Sequence, residues 1–365
     1  MTFSRKLMTL ALSSLMIVSA LTGCGGTAAS TASKGAADSA SESGEKIKIQ
    51  YWHINGENQG GKAVQEFIDE FNASQDRIEV EGRYNSGYDE LLKNLQADTA
   101  AGNAPAIVQV SWSNIEYFPA NFRYTSPDDI ISDYFPEDAD FLSTTFEESI
   151  LNLAKNSDGI LAGVPYSVSN PVLYYNADLL REAGVSEDGP QSWDEFVSFA
   201  KAVKDQTGKY GAYLQEGDTW VLQAILESGG AKMLTYEGGK PIATFASDEG
   251  KAAMQAYADM VLVDQSAVHL ASNEDGLKAF NDGEVAMYIG SIAKASNIIK
   301  SANFDVRSTT FPATDGVERA VPAGGCYLAI TAQEPEEQEA AWEFIKFLCS
   351  DDNSAKWVAG TGYVP

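Results

Sequence analysis

The sequence predicts an α/β fold arranged as two lobes. Strand-like and helix-like patterns alternate along most of the chain, and this order produces parallel sheets covered by helices. The 365 residues are enough for two units of ordinary domain size. A composition that is 44% hydrophobic and 10% aromatic is typical of a folded globular protein. We therefore expect a ligand crevice where the carboxyl ends of strands meet.

The alternation is clearest where the folded part begins, near Lys46. Ile47, Ile49 and Tyr51 alternate with polar residues, which predicts a half-buried strand. Apolar residues then recur at helical spacing over 64–71, and another strand, helix and strand follow. This β-α-β-α-β order predicts a parallel sheet.

The pattern becomes irregular after Pro119 and resumes near Val172. Ser192 and Glu195 have the spacing of a capping box and predict the start of a helix. The predicted strands are 47–51, 78–84, 106–110, 172–175 and 284–289, and the predicted helices are 64–71, 88–101, 192–204, 220–228, 248–263, 275–281 and 341–348.

The first 24 residues have the features of a lipoprotein export signal. Two basic residues precede a mostly apolar run over 7–21, which is shorter than the roughly 20 residues of a membrane span. The run ends in Leu-Thr-Gly-Cys, which resembles the lipobox of bacterial lipoproteins and implies lipid on Cys24. We therefore expect a signal peptide over 1–23, a flexible tether over 24–45 that is rich in Gly, Ala, Ser and Thr, and an extracytoplasmic protein anchored to the bacterial cell membrane.

The charge of the chain excludes several classes of partner. The formal net charge is −27, and it becomes −29 without the two basic residues of the signal. Nucleic acid and anionic membrane surfaces both require a basic footprint, so neither is an expected partner. Two histidines leave little room for a His-rich metal site.

Motifs that carry covalent chemistry are weak. Residues 56–63 (GENQGGKA) resemble a phosphate-binding P-loop but end in Ala63 instead of Ser or Thr, although the glycine N–H groups could still face a ligand. There is no G-x-S-x-G or H-E-x-x-H motif, so we expect no enzyme, no metal and no cofactor. Cys326 and Cys349 lie in apolar surroundings, which favours buried free thiols, although the compartment would permit a disulfide.

An ordered set of short stretches resembles a known family. Together they resemble the extracellular solute-binding proteins of carbohydrate ABC importers, the maltose-binding-protein-like class, and within it the glycerol-3-phosphate-binding branch. The stretches are Trp52-His53, 84–88 (YNSGY), 102–110 (GNAPAIVQV), 165–176 (PYSVSNPVLYYN), 183–184 (AG), Trp193, 283–287 (GEVAM), 324–325 (GG) and 361–365 (TGYVP).

The resemblance implies a two-lobed periplasmic-binding-protein-like fold of type II that closes on its ligand by hinge bending. The implied lobes are 46–170 plus 311–348 and 171–310 plus 349–365. Family members continue past the last motif, so we expect the second lobe to be incomplete at its C-terminus. The implied partners are a small carbohydrate and the permease subunits of the importer, and a monomer is expected.

A sugar presents hydroxyls and apolar C–H faces, so its binder needs aromatic rings and a few hydrogen-bonding groups. Aromatic residues at loop or element ends are the candidates for the first role, and Ser and Gly residues for the second. The candidates are Trp52, Tyr88, Trp112, Trp220, Tyr363, Ser169, Ser291 and Gly325. Among these, the resemblance matches Tyr88, Ser169, Ser291, Gly325 and Tyr363 to ligand-contacting positions of the glycerol-3-phosphate branch.

Two departures from that branch bear on the ligand. Trp112 stands where the branch has a ligand-holding Glu, and the sequence stops at Pro365 before the arginine that the branch uses. A phosphate needs such a cation, so we expect a neutral mono- or oligosaccharide, with glycerol-3-phosphate or a glycerophosphodiester as the alternative. A secreted carbohydrate-active enzyme and a sensor that reports to a membrane kinase are the alternative classes.

Overall fold

A computed structural model describes residues 46–215 and 219–364, apart from the side chain of Asn58. The predicted signal peptide, the lipidated Cys24 and the tether lie outside the described residues. Within the described ranges, none of the helices combines the length and the apolar character that crossing a membrane requires.

Strands and helices alternate as the sequence predicts, with additional short elements between them. The strands are β1 (Ile47–His53), β2 (Ile78–Tyr84), β3 (Ile107–Ser111), β4 (Val164–Ser169), β5 (Pro171–Asn176), β6 (Tyr210–Leu214), β7 (Leu234–Glu237), β8 (Lys240–Ala243), β9 (Val285–Ser291), β10 (Val306–Thr310) and β11 (Gly324–Ile330). The helices are α1 (Gly61–Ser74), α2 (Tyr88–Ala100), α3 (Tyr117–Asn121), α4 (Pro127–Tyr134), α5 (Phe141–Thr145), α6 (Glu148–Leu153), α7 (Ala177–Glu182), α8 (Trp193–Thr207), α9 (Thr219–Ser228), α10 (Asp248–Leu262), α11 (Asn273–Asn281), α12 (Ala295–Ser301), α13 (Pro335–Leu348) and α14 (Asp351–Thr361).

The first lobe is built on a five-stranded sheet in the order β2-β1-β3-β11-β4. β1 pairs in parallel with β2 and β3, which confirms the parallel sheet that the β-α-β-α-β pattern predicts. β11 lies between β3 and β4 and is antiparallel to both, so a strand from the end of the chain completes this sheet.

The second lobe is built on a four-stranded sheet in the order β10-β5-β9-β6. β6 and β9 are parallel, and β5 is antiparallel to both β9 and β10. The spatial order β6-β9-β5-β10 therefore has the same pairing as β1-β3-β11-β4 in the first lobe, which is one parallel pair followed by two antiparallel pairs. The two lobes share this arrangement although the chain shows no sequence repeat.

At the start of α8, one of the two hydrogen bonds of the predicted capping box forms, and the other has a different donor. Ser192 Oγ accepts a hydrogen bond from the backbone N–H of Glu195 at 3.3 Å, as predicted. The Glu195 carboxylate, however, accepts from the N–H of Gln191 at 2.7 Å and not from that of Ser192. The Glu195 carboxylate therefore pairs with a backbone N–H one residue earlier than the motif implies.

Cys326 and Cys349 are buried free thiols, which confirms the favoured prediction and contradicts the disulfide alternative. Burial raises the pKa of each thiol to about 12. Both therefore remain protonated and unreactive near neutral pH.

Packing changes the expected lobe boundaries at two places. Phe311 packs in the apolar cluster of the second lobe, and the backbone N–H of Trp193 donates to the Ala313 carbonyl at 2.9 Å, so the segment after β10 stays with that lobe. Trp357 and Tyr363 pack in the apolar cluster of the first lobe, and α14 lies against α1 and α13 of that lobe and against α12 of the second lobe. The packing of Phe311 favours a boundary later than 311, and the boundary near 349 stays a prediction because α14 contacts both lobes.

The lobes touch where α14 ends. Gly362 has a φ of 111°, and a Cβ atom placed on it would lie 2.3 Å from the carbonyl oxygen of Ile292 in the second lobe. The same Cβ would lie 2.9 Å from Ala295 Cβ at the start of α12. Only glycine combines this conformation with so close an approach, so Gly362 sets how closely the lobes meet here.

Gly362→Ala is expected to hold the lobes apart and to increase the radius of gyration measured by X-ray scattering. Gly208→Ala is the matched control, because Gly208 also has a positive φ of 75° but nothing lies within 4 Å of its Cβ position. Both variants should lose about 1 kcal/mol of unfolding free energy through the left-handed backbone. An unchanged radius of gyration for Gly362→Ala would contradict the role of this contact.

His53 should make the protein less stable as the pH falls. Burial lowers its pKa to about 4, and the backbone of Asn55 offsets this only in part. The unfolded chain binds the proton near pH 6.5, so stability is complete above that pH and declines as the pH falls towards 4. The loss at pH 4 is about 3 kcal/mol.

Chemical denaturation of the wild type and of His53→Gln between pH 7 and pH 4 measures this effect. The variant should lose less unfolding free energy over that range than the wild type. His269→Gln is the control, because His269 is exposed. Equal pH slopes for the wild type and His53→Gln would contradict the assignment.

Candidate functional site

One edge of the first sheet faces one edge of the second sheet, because the chain passes from one sheet to the other through a single residue. β1, β3 and β4 run in the same direction, so their carboxyl ends and the start of β11 form one edge of the first sheet. The carboxyl ends of β6 and β9 and the start of β5 form the corresponding edge of the second. Only Asn170 separates β4 from β5, and its carbonyl accepts the Ile292 N–H at 3.2 Å.

A cavity of about 310 Å³ lies between these edges. Its lining comes from the β4–β5 junction, the turn after β9, the segment before β11 and the residue after Tyr363. The lining residues are Val168, Ser169, Asn170, Ile292, Val321, Pro322, Ala323 and Val364. None of these side chains carries a charge.

Ser169 and Trp220 meet across the cleft at Gly324. A Cβ atom on Gly324 would lie 2.7 Å from Ser169 Oγ and 2.9 Å from the Trp220 ring. Two candidates that are 51 positions apart in sequence, one from each lobe, are thus brought together. The indole N–H of Trp220 is buried and has no hydrogen-bond partner among residues 46–215 and 219–364. A buried donor without a partner is costly, and a ligand acceptor would satisfy it.

Ser291 ends β9 at the edge of the same cleft. Its Oγ accepts the N–H of Ala293 at 3.1 Å and so caps the 3₁₀ turn Ile292–Lys294. Its carbonyl accepts a hydrogen bond from the Tyr174 hydroxyl at 3.2 Å. The oxygen is therefore fixed in place, and the hydroxyl hydrogen can still be donated towards the cleft.

Tyr88, Gly325 and Tyr363 cluster beneath the first-lobe edge. The Tyr88 hydroxyl interacts with the Cys326 thiol, and burial, followed by Cys326 and Tyr363, raises the pKa of Tyr88. Tyr363 receives a hydrogen bond from Gln59 Nε2 at 2.7 Å. Gly325 has a φ of 101°, and a Cβ there would lie 2.0 Å from the Ser167 carbonyl oxygen.

Two aromatic candidates have packing roles. Trp52 is fully buried, its N–H donates to Gln50 Oε1 at 3.0 Å, and the Arg83 guanidinium lies 4.0 Å from its ring centre. These contacts favour a packing role for Trp52 over the predicted contact with the crevice, and its place in the site stays a prediction. Trp112 lies at the cleft edge, but it is 6% exposed and its N–H donates to the Ser167 carbonyl at 3.0 Å, so its contacts favour packing.

Sequence reasoning missed the buried polar network that shapes the loop after β1. Gln109 Nε2 donates to the Tyr51 hydroxyl at 2.5 Å and to Asn55 Oδ1 at 2.8 Å, and its Oε1 accepts the Ile54 N–H at 3.1 Å. Gln109 is the polar residue in the apolar run 106–110, and a buried polar side chain requires hydrogen-bond partners, so it could have indicated this network.

Trp357 on α14 was also missed. Its ring lies parallel to that of Tyr363, with an interplanar angle of 3° and 5.8 Å between ring centres, and it stacks on Tyr166 at 5.1 Å. Its N–H donates to Ser167 Oγ at 3.0 Å. Trp357 therefore connects the last helix to the cleft floor, and only the tertiary structure brings these residues together.

The P-loop-like stretch does not form a phosphate site. A Cβ on Gly60 would lie 2.6 Å from Thr361 Cγ2 and 2.9 Å from the Trp357 ring, so α14 covers the start of α1. Asn55 Nδ2 donates to the backbone carbonyl of Gln59 at 3.0 Å, and Gln59 Nε2 donates to the Tyr363 hydroxyl at 2.7 Å. The Gly61 N–H donates to the Gly56 carbonyl at 2.9 Å, so this glycine does not present its N–H to a ligand as the sequence suggests.

Comparisons with known proteins agree with this architecture. The model of the family described as bacterial extracellular solute-binding protein matches residues 66–365. The sn-glycerol-3-phosphate-binding periplasmic protein UgpB of Escherichia coli (strain K12) is 26% identical over 329 residues, which cover 87% of this chain and 74% of that protein.

Solved structures show the same two-lobed fold. UgpB from Mycobacterium tuberculosis, solved with glycerophosphocholine, aligns with a TM-score of 0.76 at 24% identity and covers 88% of this chain and 82% of that chain. Maltose-bound MalE3 from T. maritima aligns with a TM-score of 0.75 at 25% identity and covers 87% and 81%. The chain therefore belongs to the bacterial extracellular solute-binding proteins, and its role is that of the substrate-binding protein of an ABC importer.

Proposed function

We propose that the cleft captures a neutral mono- or oligosaccharide and that the protein delivers it to the importer's permease. The observation that carries this proposal is the cavity between the sheet edges. Its lining, within the described part of the chain, contains apolar groups, a hydroxyl and an amide but no charged side chain. Sugars have apolar faces and neutral hydroxyls that match such a lining.

Trp220 and Ser169 supply the chemistry that a sugar requires. The Trp220 ring offers an apolar face, and its unpartnered N–H can donate to a sugar hydroxyl. Ser169 Oγ lies beside the same ring on the opposite lobe. A ligand that contacts both groups binds both lobes and so favours the closed arrangement, without any covalent step.

Glycerol-3-phosphate or a glycerophosphodiester is the alternative ligand, because the E. coli relative binds glycerol-3-phosphate by name. A phosphate is held best by arginine or lysine. Lys294, in the turn after Ser291, is buried and bonds to Glu274 Oε1 at 3.1 Å, so its charge is already neutralised. This pairing supports the neutral ligand over the phosphate.

We also propose that the protein is a receptor and not an enzyme, that it is monomeric, and that lipid on Cys24 anchors it to the cell membrane. The named relatives are binding proteins. The sequence around Cys24 and the flexible composition of 25–45 support the anchor.

Maltose or another neutral sugar is expected to raise the melting temperature in a thermal-shift panel that also contains sn-glycerol 3-phosphate and glycerophosphocholine. A ligand at about 100 times its Kd stabilises the folded state by about 2.7 kcal/mol. Stabilisation by the two phosphates alone would overturn the neutral-sugar proposal, and turnover of any sugar would overturn the receptor role.

The same panel tests the place of binding. Trp220→Ala should weaken binding of the stabilising sugar by at least about tenfold, because about 1.4 kcal/mol of ring contact and hydrogen bond is lost. Tyr236→Ala is the control, since Tyr236 is an aromatic residue outside the cleft that is 69% exposed. Equal affinity in both variants would remove Trp220 from the site.

Cells that express the protein should incorporate labelled palmitate into it. Cys24→Ala should abolish the label and release the protein from the membrane fraction, because the thioether cannot form. Cys349→Ala is the control, since that thiol is buried in the folded part. A membrane-bound, unlabelled wild type would contradict the lipid anchor.

A further inference from the structure

A second cavity, larger than that in the cleft, lies on the first lobe among α4, α5 and α6 and the turn 155–161. Its volume is about 620 Å³, and it shares no lining residue with the cleft cavity. Ile131, Leu142 and Leu161 form a buried apolar floor, and Leu151 is half-buried beside them. We call this cavity the α4–α6 groove.

The surface around the groove is strongly acidic. Residues 115–163 contain ten acidic and two basic residues. Within the described part of the chain, Asp138 is the one of these ten that forms an ion pair, with Lys346. Exposed carboxylates without an ion pair there include Asp128, Asp129, Asp133, Glu137, Asp140 and Asp158.

Helix electrostatics explains only part of this cluster. Asp128 and Asp129 lie in the first turn of α4, where a negative charge favours the helix dipole. Asp133 lies near the end of α4, where a negative charge is unfavourable, and Asp140 makes no side-chain cap for α5. Their immediate neighbours Ser132 and Ala139 line the groove.

The groove also has one basic group on its rim. Lys155 Nζ donates to Asn152 Oδ1 at 3.0 Å. A single ammonium does not offset the carboxylates around it, so the field over the groove remains negative. An apolar floor within a negative rim fits a positively charged segment that inserts apolar side chains, since complementary charge steers the encounter and buried apolar area holds the complex.

We propose that the α4–α6 groove is a docking surface for a basic protein segment that inserts leucine-like side chains. We take the partner to be the importer's permease, and this identity rests on the proposed function. The chemistry of the groove does not depend on it, because the groove is separate from the cleft.

A labelled peptide, Lys-Leu-Lys-Lys-Leu-Lys amide, tests the proposal by fluorescence anisotropy with the full chain. We expect saturable binding at low salt that weakens as salt is added, because exposed charges are screened. The peptide Lys-Ser-Lys-Lys-Ser-Lys should bind at least about tenfold more weakly, since it lacks the apolar side chains.

The variant Asp133→Lys with Asp140→Lys should reduce affinity for the leucine peptide by at least about tenfold. Leu151→Ala should weaken the leucine peptide and leave the serine peptide unchanged. Asp76→Lys with Glu81→Lys is the matched control, because both acids are exposed on the same lobe without an ion pair in the described part of the chain, and neither lines the groove.

Absence of peptide binding at low salt would overturn the proposal. Equal affinity for the two peptides would show that the apolar floor plays no part, and an equal loss in the control variant would show non-specific charge attraction. Either result would also overturn it. The variants should bind the sugar of the thermal-shift panel normally, so failure here is distinguishable from failure of the proposed function.

Discussion

The architecture depends on the one-residue junction at Asn170. β4 is paired in the first sheet and β5 in the second, and a single residue cannot separate two sheet edges by more than a few ångströms. Ser169 pairs with Gly324 on one side of the junction, and Pro171 pairs with Ser291 on the other. The candidates Ser169, Ser291 and Gly325 lie near each other because of this junction.

The second constraint is the satisfaction of polar groups buried under the cleft. Gln109, Tyr51, Asn55, Gln59 and Tyr363 are joined by hydrogen bonds, so the loop after β1 and the last residues of the chain hold each other in place. Such a network is stabilising only when its members are paired. The buried indole N–H of Trp220, on the second-lobe side of the cleft, has no partner among the described residues, and a ligand acceptor would satisfy it.

Charge is distributed unevenly over this protein. The chain carries a formal net charge of −27, yet the cleft cavity is lined by neutral groups, while exposed carboxylates surround the α4–α6 groove. A neutral cleft does not need the cation that a phosphate requires, and the strong negative field lies over a separate surface of the first lobe. Ligand chemistry and partner chemistry can therefore be carried by different surfaces of the same protein, the cleft between the lobes and the groove on the first lobe.

The sequence by itself determined the α/β class, the parallel β1–β2–β3 unit, most long helices and the buried thiols, because these follow from local periodicity and from apolar surroundings. It also predicted Trp220, at the start of a predicted helix, and Ser169 and Ser291, which the family resemblance indicates, as ligand contacts, and these three stay predictions. The tertiary structure alone decided the insertion of β11 between β3 and β4, the packing of α14 against α1, α13 and α12, and the burial of Trp52 against Arg83. These features depend on pairing between segments that are distant in sequence, and local pattern carries no information about which distant partner a strand or ring will contact.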